Sequence, residues 1–109
     1  MLTDRMKDEL IQGLRDIFAN NIEAIILYGS VARKDNTAES DIDVAIILKK
    51  EIDVETKDRF ICWAADMDLR YDRVFSIVDI EKENLQKWGK ILPFYQNVQK
   101  EGIVLWKAA

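Results

Sequence analysis

Apolar residues near the start of the chain recur at helical spacing. Met6, Leu10, Ile11, Leu14, Ile17 and Phe18 fall three and four residues apart, and Thr3 stands before them as an N-cap. A first helix is therefore expected to run to about Ala19, with Asn20-Asn21 as its stop. The pattern then changes period. Ile22 to Tyr28 is a short, nearly continuous apolar run that reads as an interior strand and ends at Gly29-Ser30. A polar stretch with Lys34-Asp35-Asn36-Thr37 at its centre leads into a second strand, Asp41 to Leu48, polar at its entrance and apolar beyond. Lys49 to Asp53 is a charged turn. Val54 to about Leu69 can form a second helix, with Ile61, Ala64, Ala65 and Leu69 as its inward face. Arg73 to Ile80 is β-branched and aromatic and reads as a third strand. Glu81 to Trp88 and Phe94 to Lys100 read as helices separated by Gly89 and Pro93, and Ile103 to Trp106 as a last short strand.

This order predicts one α/β (α+β) domain over residues 1–109, a small sheet flanked by helices. A length of 109 residues suits one core, and 49% hydrophobic against 33% charged residues suits a folded chain. Sixteen basic and twenty acidic residues leave a net charge of -4, so no broad positive field holds a nucleic-acid backbone. With no histidine and one cysteine, the usual zinc ligands, a Ser-His-Asp triad, a Cys-His pair and an internal disulfide are all excluded. Any metal must bind oxygen, which points to Mg²⁺ or Mn²⁺. No apolar stretch near the start has signal-peptide or membrane-span length, and the lone thiol suits a reducing compartment, so a cytoplasmic protein is expected.

Two features carry candidate chemistry. Gly29-Ser30 closes a buried strand, where a glycine permits a sharp turn and the following amides can receive phosphate oxygens. Asp41 and Asp43 open the next strand; residues two apart point to one face at roughly 6.5 Å, and their mutual repulsion is about 2.5 kcal/mol at an effective dielectric near 20. Each feature alone has an ordinary reading, as a structural turn and as a solvated strand entrance. Together they put phosphate-binding amides and cation-binding carboxylates at one edge of a sheet.

The run Leu27-Tyr28-Gly29-Ser30-Val31-Ala32-Arg33, followed by Ser40-Asp41-Ile42-Asp43-Val44, resembles the signature of the minimal nucleotidyltransferases of the DNA polymerase β-like superfamily. The resemblance implies a mixed sheet with flanking helices and transfer of a nucleoside monophosphate from ATP or another NTP to a hydroxyl. It implies that Gly29 and Ser30 hold the β- and γ-phosphates, that Arg33 supports that loop or the phosphates, and that Asp41 and Asp43 bind two Mg²⁺ ions. Proteins of this kind are often paired with HEPN-domain toxins, which they neutralise as antitoxins by adding AMP, so a HEPN partner is implied. A nucleotide-binding antitoxin that acts by binding alone is the alternative. A small-molecule nucleotidyltransferase would ordinarily need an added acceptor domain or a dimer cleft. Homo- and hetero-oligomers both stay open.

One position departs from the signature. Members with the full catalytic set carry a third carboxylate on a later strand, where this chain has Ser76. Asp72 would lie on the same strand face about 13 Å away, and Asp79 on the opposite face. Cys62 is expected to be buried as a small apolar residue. Trp88, Phe94, Tyr95 and Trp106 are expected mainly in packing, with an apolar surface patch, and hence a partner, as the other reading.

Overall fold

The computed structural model describes residues 2–33 and 41–109; the expected turn around Lys34 to Thr37 lies outside the described residues. The elements are α1 (Asp4–Phe18), a 3-10 turn (Ala19–Asn21), β1 (Ile22–Tyr28), α2 (Gly29–Arg33), β2 (Ile42–Leu48), α3 (Val54–Tyr71), β3 (Phe75–Glu81), α4 (Lys82–Trp88), α5 (Pro93–Glu101) and β4 (Ile103–Lys107). Local chemistry sets most of these boundaries. The Thr3 hydroxyl accepts the Met6 N–H at 3.2 Å, and the Asp53 carboxylate accepts that of Thr56 at 2.7 Å, so α1 and α3 each start on a side-chain cap. Those bonds to Thr56 hold the Asp53 carboxyl below its ordinary value. Pro93 opens α5, where its missing N–H costs nothing.

The four strands form one mixed sheet in the order β3-β2-β1-β4. β1 runs antiparallel to both β2 and β4, and β2 runs parallel to β3. β2 is interior and covered on both faces, which explains its unbroken apolar run. Ile42, Val44, Ile46 and Leu48 join Leu10, Leu14, Phe18 and Met67 in the core beneath α1 and α3. Ala45 and Ile47 pack on the other face with Ile80 of β3 and Val98 of α5. α4 and α5 cover that second layer through Leu85, Tyr95 and Val98. The expected α+β architecture is the observed one.

Three expectations need correction. First, α3 does not turn Ile61, Ala65 and Leu69 inward: Ile61 is 53% and Leu69 84% exposed, while Phe60 and Met67 are buried and Trp63, Ala64 and Tyr71 half-buried. The winning face carries three aromatics and a methionine, so it removes more apolar area from water. Trp63 also lies against Gly13, where a Cβ would sit 2.2 Å from the indole nitrogen; the bare glycine lets α1 and α3 approach. Second, Cys62 is exposed, because it sits on the outer face with Ile61. Third, β3 begins at Phe75 instead of Arg73. Residues 72–74 are consumed in ending α3: Asp72 adopts a left-handed conformation (φ 50°, ψ 44°), the Arg73 N–H donates to the Asp68 carbonyl, and the Phe75 N–H to the Asp68 carboxylate at 2.8 Å. The aromatics divide: Tyr95 and Trp106 are half-buried, whereas Trp88 and Phe94 reach the surface.

Arg70 of α3 pairs with Glu9 of α1 and with Asp66 one turn back. These exposed pairs contribute little beside the buried seam. In dilute solution Met67→Ala should therefore lower stability by about 2–5 kcal/mol, and Leu69→Ala should stay within about 0.5 kcal/mol of the parent. Urea denaturation of the two variants checks which face of α3 is inward.

Candidate active site

The turn after β1 is tight because its first residue is a glycine with φ +75°, a value that side-chain-bearing residues rarely adopt. α2 starts on that residue and packs against β1, β2 and α5. Across the antiparallel ladder, Tyr28 lies opposite Asp43, so the glycine following Tyr28 comes beside that carboxylate. The approach is very close. A Cβ built on Gly29 would lie 2.3 Å from Oδ2 of Asp43 and 3.1 Å from its Cγ. Gly29 and Asp43 are thus brought together, as expected.

Asp41 lies just before β2 and is exposed. Pairing with β3 begins at the next residue, where the Ile42 N–H donates to the Val74 carbonyl at 2.8 Å. Ser30 and Arg33 belong to α2 by their backbone, but their side chains lie outside the described residues. Ser76 stands directly beside Asp43 in the parallel pair of β2 and β3. Neither substitute carboxylate takes its place. Asp72 caps α3, and Asp79, level with Ile46, reaches Lys57 of α3 at 3.3 Å on the opposite face of the sheet. Among the described residues, no group of three or more carboxylates or thiols is positioned to hold a metal ion.

Tyr28, which no sequence motif marks for a role, borders this site with its ring. It lies edge-on to Phe94 of α5, with centroids 5.6 Å apart at 86°. Burial, and secondarily the charge of Asp43, push its phenol above the ordinary tyrosine value. The available signal was parity: Ala24, Ile26 and Tyr28 alternate onto one face of β1, the face that Asp43 shares.

Residues 12–108 match the family model "Polymerase beta, Nucleotidyltransferase". The chain belongs to this nucleotidyltransferase family. The match includes the whole Leu27-to-Val44 segment. Over 98 residues the chain is 35% identical to a Methanocaldococcus jannaschii protein named "Putative protein adenylyltransferase", covering 90% of this chain and 92% of that one. Its fold is similar to that of a toxin–antitoxin crystallised with AMP-PNP (TM-score 0.67, 22% identity, 94% of this chain and 73% of that one). It is also similar to a complex of tri-AMPylated Shewanella oneidensis HEPN toxin with MNT antitoxin (TM-score 0.60, 21% identity, 94% and 70%). Among the described residues no helix is long and apolar enough to cross a membrane.

Gly29→Ala should cost about 1–2 kcal/mol in backbone conformation and displace the Asp43 carboxylate, which a urea melt would register. Tyr28 offers a second readout. Asp43→Asn should move its ionisation down toward the ordinary value, as followed by phenolate absorbance against a Tyr28→Phe control. Because the folded-state value is raised, the unfolded chain loses this proton first as pH climbs. The stability it contributes is complete below the ordinary tyrosine value and disappears as pH rises through the folded one.

Proposed function

We propose that this chain transfers AMP from ATP to a hydroxyl on a partner HEPN-domain protein and acts as the antitoxin of that pair. The observation that carries the reading is the Asp43 carboxylate seated over the left-handed Gly29 at the start of α2. The adenylyltransferase name of a relative and the AMPylated HEPN complex among the fold neighbours support the nucleotide and the partner.

The donor set fits a hard divalent cation: Asp41 and Asp43 supply oxygen, the chain has no histidine, and phosphate oxygens complete the shell. Mg²⁺ or Mn²⁺ held there would neutralise phosphate charge and acidify the acceptor hydroxyl. The amides opening α2, Gly29 and Ser30, hold the β- and γ-phosphates, with Arg33 supporting that loop. Asp41 and Asp43 would hold the cation that offsets the α-phosphate charge and lets it face the acceptor, and Tyr28 with Phe94 screens one side of the site from water. The acceptor hydroxyl gives up its proton to solvent as its oxygen bonds to the α-phosphorus, and the bond from that phosphorus to the bridging oxygen breaks, releasing pyrophosphate.

The experiment combines the chain, Mg²⁺, α-labelled ATP and the protein encoded by the neighbouring gene. Label should appear on that protein and vanish with Asp43→Asn; no transfer with any NTP would sink the proposal. A second reading has its own support, Ser76 beside Asp43: the chain neutralises its partner by binding alone. Under that reading, neutralisation survives Asp41→Asn combined with Asp43→Asn. Under the first reading, Ser76→Asp restores a third carboxylate and should raise transfer on the order of tenfold, as measured by label incorporated per minute.

A further inference from the structure

α3 carries an apolar stripe that nothing in the described chain covers. Val54 is 77%, Ile61 53% and Leu69 84% exposed, and exposed Cys62 and Ala65 lie between them. At 100° per residue these five side chains occupy about 100° of the helix circumference. The stripe is on the far side of the molecule from Asp43, because α3 covers one face of the sheet while Asp43 and Tyr28 lie on the other. At its amino-terminal end is a shallow groove lined by Val54, Glu55, Asp58, Arg59 and Cys62. At its carboxy-terminal end Leu69 projects.

The charges along one flank of this stripe read, in order, Glu55, Arg59, Asp66 and Arg70. Glu55 and Arg59 have no ion-pair partner among the described residues. Arg70 holds Asp66 and Glu9, and its side chain is still half exposed. The sign pattern, minus, plus, minus, plus, becomes its own complement when reversed.

We infer that the occupant of this face is a second copy of the same chain, with the two α3 helices packed antiparallel about a two-fold axis between Cys62 and Trp63. A two-fold of this kind brings like flank to like flank with the direction reversed. Each residue then faces the one equally far on the other side of the axis. Arg59 meets Asp66 of the second copy, and Glu55 meets its Arg70. Leu69 arrives level with residue 56, inside the groove between Val54 and Arg59, and the contact occurs twice because the interface is isologous. Charge pairing and knob-to-groove fit select the same axis from separate observations. The 18-residue helix is about 27 Å long, so the contact buries on the order of 1,000 Å² in total, the lower end for a specific interface. Asp58 lies in the middle of the stripe and weakens the association. Both active faces stay open in this dimer.

The axis also predicts where the single cysteines lie. With α3 axes about 8–10 Å apart, the two Cys62 Cα atoms are roughly 6 Å apart, within reach of a disulfide. Sedimentation equilibrium of the full chain, at concentrations from roughly 5 to 200 µM, should show a reversible monomer–dimer equilibrium. Leu69→Asp or Arg59→Glu should weaken it by about tenfold or more, Arg59→Glu with Asp66→Arg should recover it, and Asp58→Leu should tighten it. Mild oxidation should yield a covalent dimer in the parent, and none in Cys62→Ser. All of these positions are exposed, and circular dichroism of each variant verifies its fold. A monomer throughout that range overturns the inference. So does a dimer indifferent to Leu69→Asp and resistant to Cys62 cross-linking, since its contact must then lie elsewhere.

Discussion

The Asp43 carboxylate fills the room a side chain at Gly29 would need, so the close approach of turn and acid depends on the glycine. A carboxylate oxygen stands only 2.3 Å from where a Cβ would be, closer than any real Cβ tolerates, and the positive φ starts α2 directly at the strand end. Two requirements that are usually met by different residues, room for a neighbouring carboxylate and a left-handed backbone, fall on one position. The sheet supplies the third requirement. Antiparallel pairing of β1 and β2 holds Tyr28 level with Asp43, so the ladder sets the distance between turn and acid.

The rest of the fold serves that register. β2 is buried on both faces, and slipping it by one residue would turn Asp43 into the α1–α3 core and move Val44 and Ile46 to the face shaped around Ala45 and Ile47. The charge of Asp43 is therefore guarded by the hydrophobic core itself. α5 closes the site from the side, where Phe94 meets Tyr28 edge-on and Val98 anchors the helix to Ala45 and Ile47. A low-polarity wall next to a carboxylate strengthens its interaction with a cation or phosphate-bound metal and raises the phenol next to it.

The division of the molecule into two faces has a functional consequence. The α4–α5 side carries the acidic and aromatic site, and the α1–α3 side carries the exposed stripe of α3. The two lie on opposite faces of the sheet, so a contact made at one leaves the other uncovered. Ser76 stands level with Asp43 in the parallel pair and leaves the strand pairing intact while offering a hydroxyl where a carboxylate would otherwise face Asp43.

Much of this was legible in the sequence because it is local. The helix of Met6 to Phe18, the strand closing at Gly29 and the acid pair before Val44 are patterns within a few residues, and the nucleotidyltransferase signature is built from the last two. Boundaries that depend on long-range competition were not. Whether α3 turns Ile61 and Leu69 or Phe60 and Met67 inward depends on what α1 offers opposite, and Gly13 made the place for Trp63. The exposure of Cys62 followed from the same rotation of the helix. The start of β3 was settled by the Asp68 carboxylate claiming the Phe75 N–H. Residue types and spacing determined the chemistry this chain can attempt, since donors, acceptors and backbone freedom belong to individual residues. Only the tertiary structure decided which atoms meet, because burial is a contest among all the faces a chain can offer and its outcome depends on the whole core.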